Sequence, residues 1–113
     1  VTGVAVVTGA GSGLGRVITR ALLGAGWLVA AAGRREQPLQ DTITPGAWPA
    51  TSGLAVPTDI TRPDSVGALF EVVRGRWGRL DLLVNNAGRF GPPGAVDEIS
   101  PDQWQQSVDT NLT

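Results

Sequence analysis

Between a short apolar run and a helix-like stretch, the chain carries Thr8-Gly9-Ala10-Gly11-Ser12-Gly13-Leu14-Gly15. Glycines at a strand-to-helix turn let the backbone bend sharply and approach an anion, while free N–H groups and the helix dipole supply the attraction. Pyrophosphate binding is the chemistry such a turn suits. A tight connection with no ligand has the same look, so the spacing has to narrow the choice. A phosphate-binding P-loop needs a Lys after its last Gly, and the nine arginines use up the whole Lys+Arg count of 9. The pattern G-x-G-x-x-G also fails, because Leu14 and Arg16 stand where its last Gly would be. What remains is Thr8-Gly9-x-x-x-Gly13-x-Gly15, with Gly11 and Ser12 inside it.

Composition removes other chemistries. The 113 residues carry a formal net charge of −1, with no Cys, His, Met, Tyr or Lys. Without Cys or His there is no zinc finger, no Ser-His-Asp or Cys-His nucleophile and no disulfide framework, so no metal site is expected. The near-zero charge argues against nucleic-acid binding, which shows as a basic excess on one face. The most apolar run, Leu28 to Ala32, is too short to span a bilayer, and no charged region precedes an apolar one at Val1-Thr2-Gly3. No membrane partner is expected, and a cytoplasmic location is the default.

The turn must be held by alternating strands and helices. Val4 to Val7 reads as a strand buried on both faces, followed by Leu28 to Ala32, a weaker Leu54 to Val56, and Leu80 to Val84. A first helix opens near Gly13, with Leu14, Val17, Ile18, Ala21, Leu22 and Ala25 as its expected buried face, and Gly24 and Gly26 end it. Residues 34–52 hold Pro38, Pro45, Gly46 and Pro49, so any helix there is short and starts after Arg35. Thr61-Arg62-Pro63-Asp64 predicts an N-cap at Thr61, before a stripe of Val66, Leu69, Phe70, Val73 and Trp77. Ser100-Pro101-Asp102-Gln103 starts a last helix along Trp104, Val108 and Leu112. Repeated β-α units with right-handed crossovers close as a parallel sheet with helices on both faces. The fold class is therefore α/β, a doubly wound parallel sheet of four strands.

The spacing Thr8-Gly9-x-x-x-Gly13-x-Gly15 resembles the cofactor-binding motif of the short-chain dehydrogenase/reductase family. Three more places support the resemblance in family order. Asn85-Asn86-Ala87-Gly88 after the fourth strand looks like the family's N-N-A-G motif. Asp59-Ile60 follows the third strand, where the family places an acid that hydrogen-bonds the adenine, and Asn111 resembles its active-site Asn. The resemblance implies a Rossmann fold over residues 1–113, the N-terminal portion of a single-domain reductase. It implies hydride transfer between nicotinamide and a small-molecule carbonyl or alcohol, and a homo-oligomer when full length. Cofactor contacts are expected from Gly9, Gly11, Ser12, Gly13, Leu14, Gly15, Arg34, Arg35, Asp59, Ile60, Asn86, Ala87 and Gly88.

An acid at the end of the second strand would accept the adenosine 2′-OH and repel a 2′-phosphate. Gly33 takes that place, followed by Arg34 and Arg35, whose guanidinium forks suit a phosphate. NADP(H) is the expected cofactor, with NAD(H) as the alternative. The family's proton transfer uses Tyr, Lys, Ser and Asn, and of these only Asn111 carries over. The chain thus holds the cofactor half of an active site and is expected to be inactive alone, as part of a longer reductase. Two other readings are a non-catalytic nucleotide-binding module and a fragment of a Rossmann-type methyltransferase. The latter would want an acid where Gly33 stands.

Overall fold

The computed structural model describes residues 3–44, 46 and 48–86. Its elements run β1 (Val4–Thr8), α1 (Gly13–Gly24), β2 (Leu28–Gly33), α2 (Glu36–Ile43), a single 3-10 turn (Ala50–Ser52), β3 (Gly53–Pro57), α3 (Pro63–Trp77) and β4 (Leu82–Asn85). All four strands are parallel, in the order β3-β2-β1-β4. The expected last helix, with Trp104, Val108 and Leu112, lies outside the described residues.

Side chains of one strand alternate between sheet faces. Ala5, Val7, Val29 and Ala31 face one side and pack with Leu23 of α1 and Leu39 of α2. Val4, Val6, Ala30 and Ala32 face the other and meet Leu69 and Val73 of α3. The strand residues are small because both faces are covered, which is why the runs read as continuous rather than alternating. The α3 stripe packs as its spacing predicts: Val66, Leu69, Phe70 and Val73 are buried, and Trp77 sits partly buried against the core.

Three expectations need correction. The buried face of α1 is Gly15, Thr19 and Leu23, flanked by the partly buried Ile18 and Leu22. Leu14 and Val17 are instead 65% and 63% exposed, and Ala21 and Ala25 are exposed too. The helix is rotated because Gly15 abuts the preceding turn, and a stripe weighted by apolarity overlooks a glycine and a threonine as core contacts. The Thr19 hydroxyl donates to Gly15 O at 2.7 Å, so its polar atom is satisfied inside the core. Secondly, α3 is not capped by Thr61: Arg62 occupies the N-cap with no side-chain cap bond. The Thr61 hydroxyl and N–H both donate to Asp59 Oδ1, at 2.6 and 3.0 Å. Thirdly, β4 begins at Leu82, because Asp81 serves to anchor the neighbouring strand. Its Oδ2 accepts from Val4 N at 2.9 Å, and its own N–H donates to Val4 O at 2.8 Å.

Gly24 closes α1 as expected. Gly26 has φ +95°, and the bonds Gly26 N to Leu23 O (3.1 Å) and Trp27 N to Leu22 O (3.0 Å) make a Schellman end. The chain then enters β2 directly.

Candidate functional site

Strand order reverses between β1 and β4, and ligands of open α/β sheets bind outside the carboxyl ends of strands at such a point. Thr8 and Asn85, the last residues of these two strands, are register partners, and the Thr8 hydroxyl lies 3.2 Å from Asn85 Oδ1. One residue on, Asn86 Nδ2 donates to Gly9 O at 3.4 Å. The glycine-rich turn and the Asn-Asn pair, 77 positions apart, are therefore in contact.

Each glycine of the turn has its own reason. Gly9 and Gly13 have φ of +63° and +55°, a region that side chains disfavour. A Cβ on Gly15 would stand 2.0 Å from Gly9 O and 2.7 Å from Asn86 Nδ2, so only glycine lets α1 close onto the turn. A Cβ on Gly11 would meet Pro38 Cβ at 2.9 Å. Among the described residues, nothing lies within 4 Å of a Cβ on Gly13, so none of them closes the turn at the mouth of α1. The first helical bond runs from Arg16 N to Ser12 O at 3.3 Å. The N–H groups of Gly13, Leu14 and Gly15 therefore have no acceptor within the helix, and together with the dipole they make a positive terminus. Ser12 is the exposed N-cap residue and makes no side-chain cap bond. Leu14 projects outward beside it.

The second half of the site follows β2. Ala10 N donates to Ala32 O at 3.1 Å, tying the turn to the end of that strand. A Cβ on Gly33 would press on Leu39 Cδ2 at 3.1 Å, so a carboxylate-bearing residue there would crowd α2. The first charged groups past β2 are the exposed Arg34 and Arg35. Arg34 Nη2 lies 3.9 Å from Asp59 Oδ2, with the two side chains 78% and 29% exposed. Asp59 thus joins the ends of β2 and β3. Its carboxyl is held below the ordinary carboxylate range, first by the Thr61 hydroxyl and then by the Thr61 N–H, with Arg34 and Arg62 adding attraction. Ile60 turns away to pack on Val66 and Phe70. Ala87, Gly88 and Asn111 lie outside the described residues.

Two residues absent from the sequence reading of the site also touch the turn. Arg16 reads there only as the residue that breaks G-x-G-x-x-G, and Thr42 sits in the poorly periodic stretch around α2. Thr42 carries no local signal that it would reach 32 positions back to Ala10.

A parallel sheet ordered β3-β2-β1-β4, with helices on both faces and a glycine-rich turn at the reversal of strand order, is a Rossmann-type fold. Sequence comparison then narrows the class. The family model for short chain dehydrogenase matches residues 3–113. The chain belongs to the short-chain dehydrogenase/reductase family. It is 36% identical over 107 residues to a 3beta-hydroxysteroid dehydrogenase of Mediterraneibacter gnavus, covering 95% of this chain and 39% of that protein. Among solved structures it resembles an F189W actinorhodin polyketide ketoreductase with NADPH (36% identity, TM-score 0.69, 95% of this chain and 41% of that one). It also resembles a 3-ketoacyl-(acyl-carrier-protein) reductase from Brucella melitensis complexed with NADH (29% identity, TM-score 0.70, 96% and 43%). The chain therefore spans about two fifths of the length of these relatives.

Proposed function

We propose that this chain supplies the dinucleotide-binding half of an NADP(H)-preferring dehydrogenase or reductase that interconverts a small-molecule carbonyl and alcohol. The observation that carries the reading is the meeting of Gly9 and Asn86 at the β1/β4 reversal, with the open, positive N-terminus of α1 beside them. An anionic pyrophosphate fits the N–H groups of residues 13–15, and among the described residues no atom lies within 4 Å of a Cβ at Gly13. Gly9, Gly11, Ser12, Leu14, Ala87 and Gly88 complete the contacts expected from the family pattern. At the adenosine end, the exposed Arg34 and Arg35 would donate to a 2′-phosphate, and Asp59, with only the backbone of Ile60 beside it, would border the base. Bound there, the nicotinamide would supply the hydride or accept it.

The chain's own residues bind and orient. Gly15 sets the distance of α1 from the turn, Asn86 fixes Gly9 O, and Asn111 is assigned the family's place in the proton relay. Proton transfer itself requires a group of suitable pKa within hydrogen-bond reach, and the 113 residues contain no Tyr, Lys, His or Cys to serve. Assembly as a homo-oligomer and a cytoplasmic location belong to the same proposal.

The test is direct titration of the protein with NADPH and NADH, repeated on Arg34→Ala. A charge-assisted bond to phosphate contributes roughly 1.5–3 kcal/mol, so the variant should weaken NADPH binding at least about tenfold and leave NADH unchanged. Tighter binding of NADH by the unaltered protein would overturn the preference. Absence of binding by either nucleotide would overturn the whole reading.

A further inference from the structure

We infer that Arg16 and Thr42 form a latch that sets the peptide planes of the glycine-rich turn for an anionic pyrophosphate, a positioning role that rests on the cofactor reading above. Thr42 is fully buried in α2, and its hydroxyl lies 2.8 Å from Ala10 O and 2.9 Å from Pro38 O. Arg16 Nε donates to the same hydroxyl oxygen at 2.9 Å. Arg16 Nη2 donates to Gly11 O at 2.6 Å and to Pro38 O at 3.2 Å. Two successive turn carbonyls, those of residues 10 and 11, are thus engaged by side chains that join α1 to α2.

The consequence follows from the planar trans peptide, in which N–H and C=O point in opposite directions. With Ala10 O bound by Thr42, the N–H of Gly11 points away from it. With Gly11 O bound by Arg16, the N–H of Ser12 does the same. Both donors are therefore turned off the α2 side. Flipping either peptide would present a carbonyl oxygen to an anion in place of an N–H. Glycine at 9, 11 and 13 makes such flips cheap, since it occupies both signs of φ readily. The latch offsets that freedom, and the buried Thr42 hydroxyl gives it one fixed geometry.

The test uses the product of the complete reading frame, with Thr42→Val, Thr42→Ser and Arg16→Lys. Without ligand, the carbonyl 13C resonances of Ala10 and Gly11, whose oxygens accept the latch bonds, should move upfield in Thr42→Val, while those of Leu69 and Val73 in α3 stay unchanged. One lost hydrogen bond in a turn corresponds to about a tenfold loss of binding. NADPH affinity should fall by that factor in Thr42→Val, with adenosine 2′-monophosphate, which lacks the pyrophosphate, bound as before. Thr42→Ser keeps the hydroxyl and should restore both readouts. If Thr42→Val fails to fold, Arg16→Lys serves, because one ammonium cannot span the acceptors of a guanidinium fork. Unchanged carbonyl shifts at Ala10 and Gly11 would overturn the latch. Moved carbonyl shifts with unchanged NADPH affinity would overturn its positioning role. An unaltered protein that binds no NADPH refutes the cofactor reading instead, and the ligand-free carbonyl shifts still decide whether the latch exists.

Discussion

Gly15→Ala is the substitution whose outcome the geometry constrains most tightly. The added methyl would stand 2.0 Å from Gly9 O, 2.7 Å from Gly9 C and 2.7 Å from Asn86 Nδ2. Two of these neighbours are backbone atoms of the turn, so no side-chain rotation relieves the clash. Either α1 or residues 9–13 must move by about 1 Å to restore ordinary contact distances. Overpacking of this kind costs about 1–3 kcal/mol, and the better helix propensity of Ala returns up to about 1 kcal/mol. Because the 2.0 Å approach is to backbone, the upper part of that range, about 2–3 kcal/mol, applies, and the net expectation is a loss of about 1–2 kcal/mol with the Asn86 contact to Gly9 O broken. Urea unfolding followed by tryptophan fluorescence would measure it as a lower midpoint at unchanged slope. Gly24→Ala supplies the internal control, since Gly24 is also in α1 but none of the described residues lies within 4 Å of its Cβ position. There the same chemical change should stabilise by about 0.4–1 kcal/mol. A Gly15→Ala protein as stable as the original, or one stabilised as much as Gly24→Ala, would refute the close approach of α1 to the turn.

Other outcomes follow from single contacts. Asp81→Ala should cost about 1–3 kcal/mol, because Val4, 1% exposed, loses the acceptor of its N–H inside the sheet. The Asp81 carboxyl is held below its ordinary range, first by Arg79 and then by the Val4 N–H. With the folded-state pKa depressed, the stabilisation is present above the unfolded value of about 3.9 and lost as pH falls through the lowered one, so Asp81→Asn should flatten the acid limb of the stability curve below about pH 4. A polypeptide of these 113 residues alone should show no NADPH-dependent turnover, because it has no group to carry the proton. Measurable reduction of any carbonyl by it would contradict that.

The sequence discloses most where local chemistry and fold agree. The strand runs are legible because a sheet covered on both faces demands small and branched residues without interruption, as in Val4 to Val7 and Leu28 to Ala32. The α3 stripe is legible for the same reason at helical spacing. The rotation of α1 is not, since its core contacts are Gly15 and Thr19, chosen for closeness to the turn rather than for apolarity. Thr61 looks like a helix cap because Thr, Pro and Asp stand at capping positions, yet Asp59 competes for its hydroxyl at 2.6 Å. The local acceptor wins over the cap. In the site, the glycines and the Asn pair announce themselves by type and spacing. Arg16 and Thr42 do not, since their role exists only once α1 and α2 are brought together across 26 positions.

Binding of a nicotinamide dinucleotide's pyrophosphate at the β1–α1 turn would be mapped by backbone amide shifts during an NADPH titration. The amides of Gly11 to Gly15 and of Asn86 should move together and saturably, with Arg34 following at the adenosine end. A saturable response confined to residues away from the carboxyl ends of β1 and β4, with residues 11–15 unmoved, would contradict it.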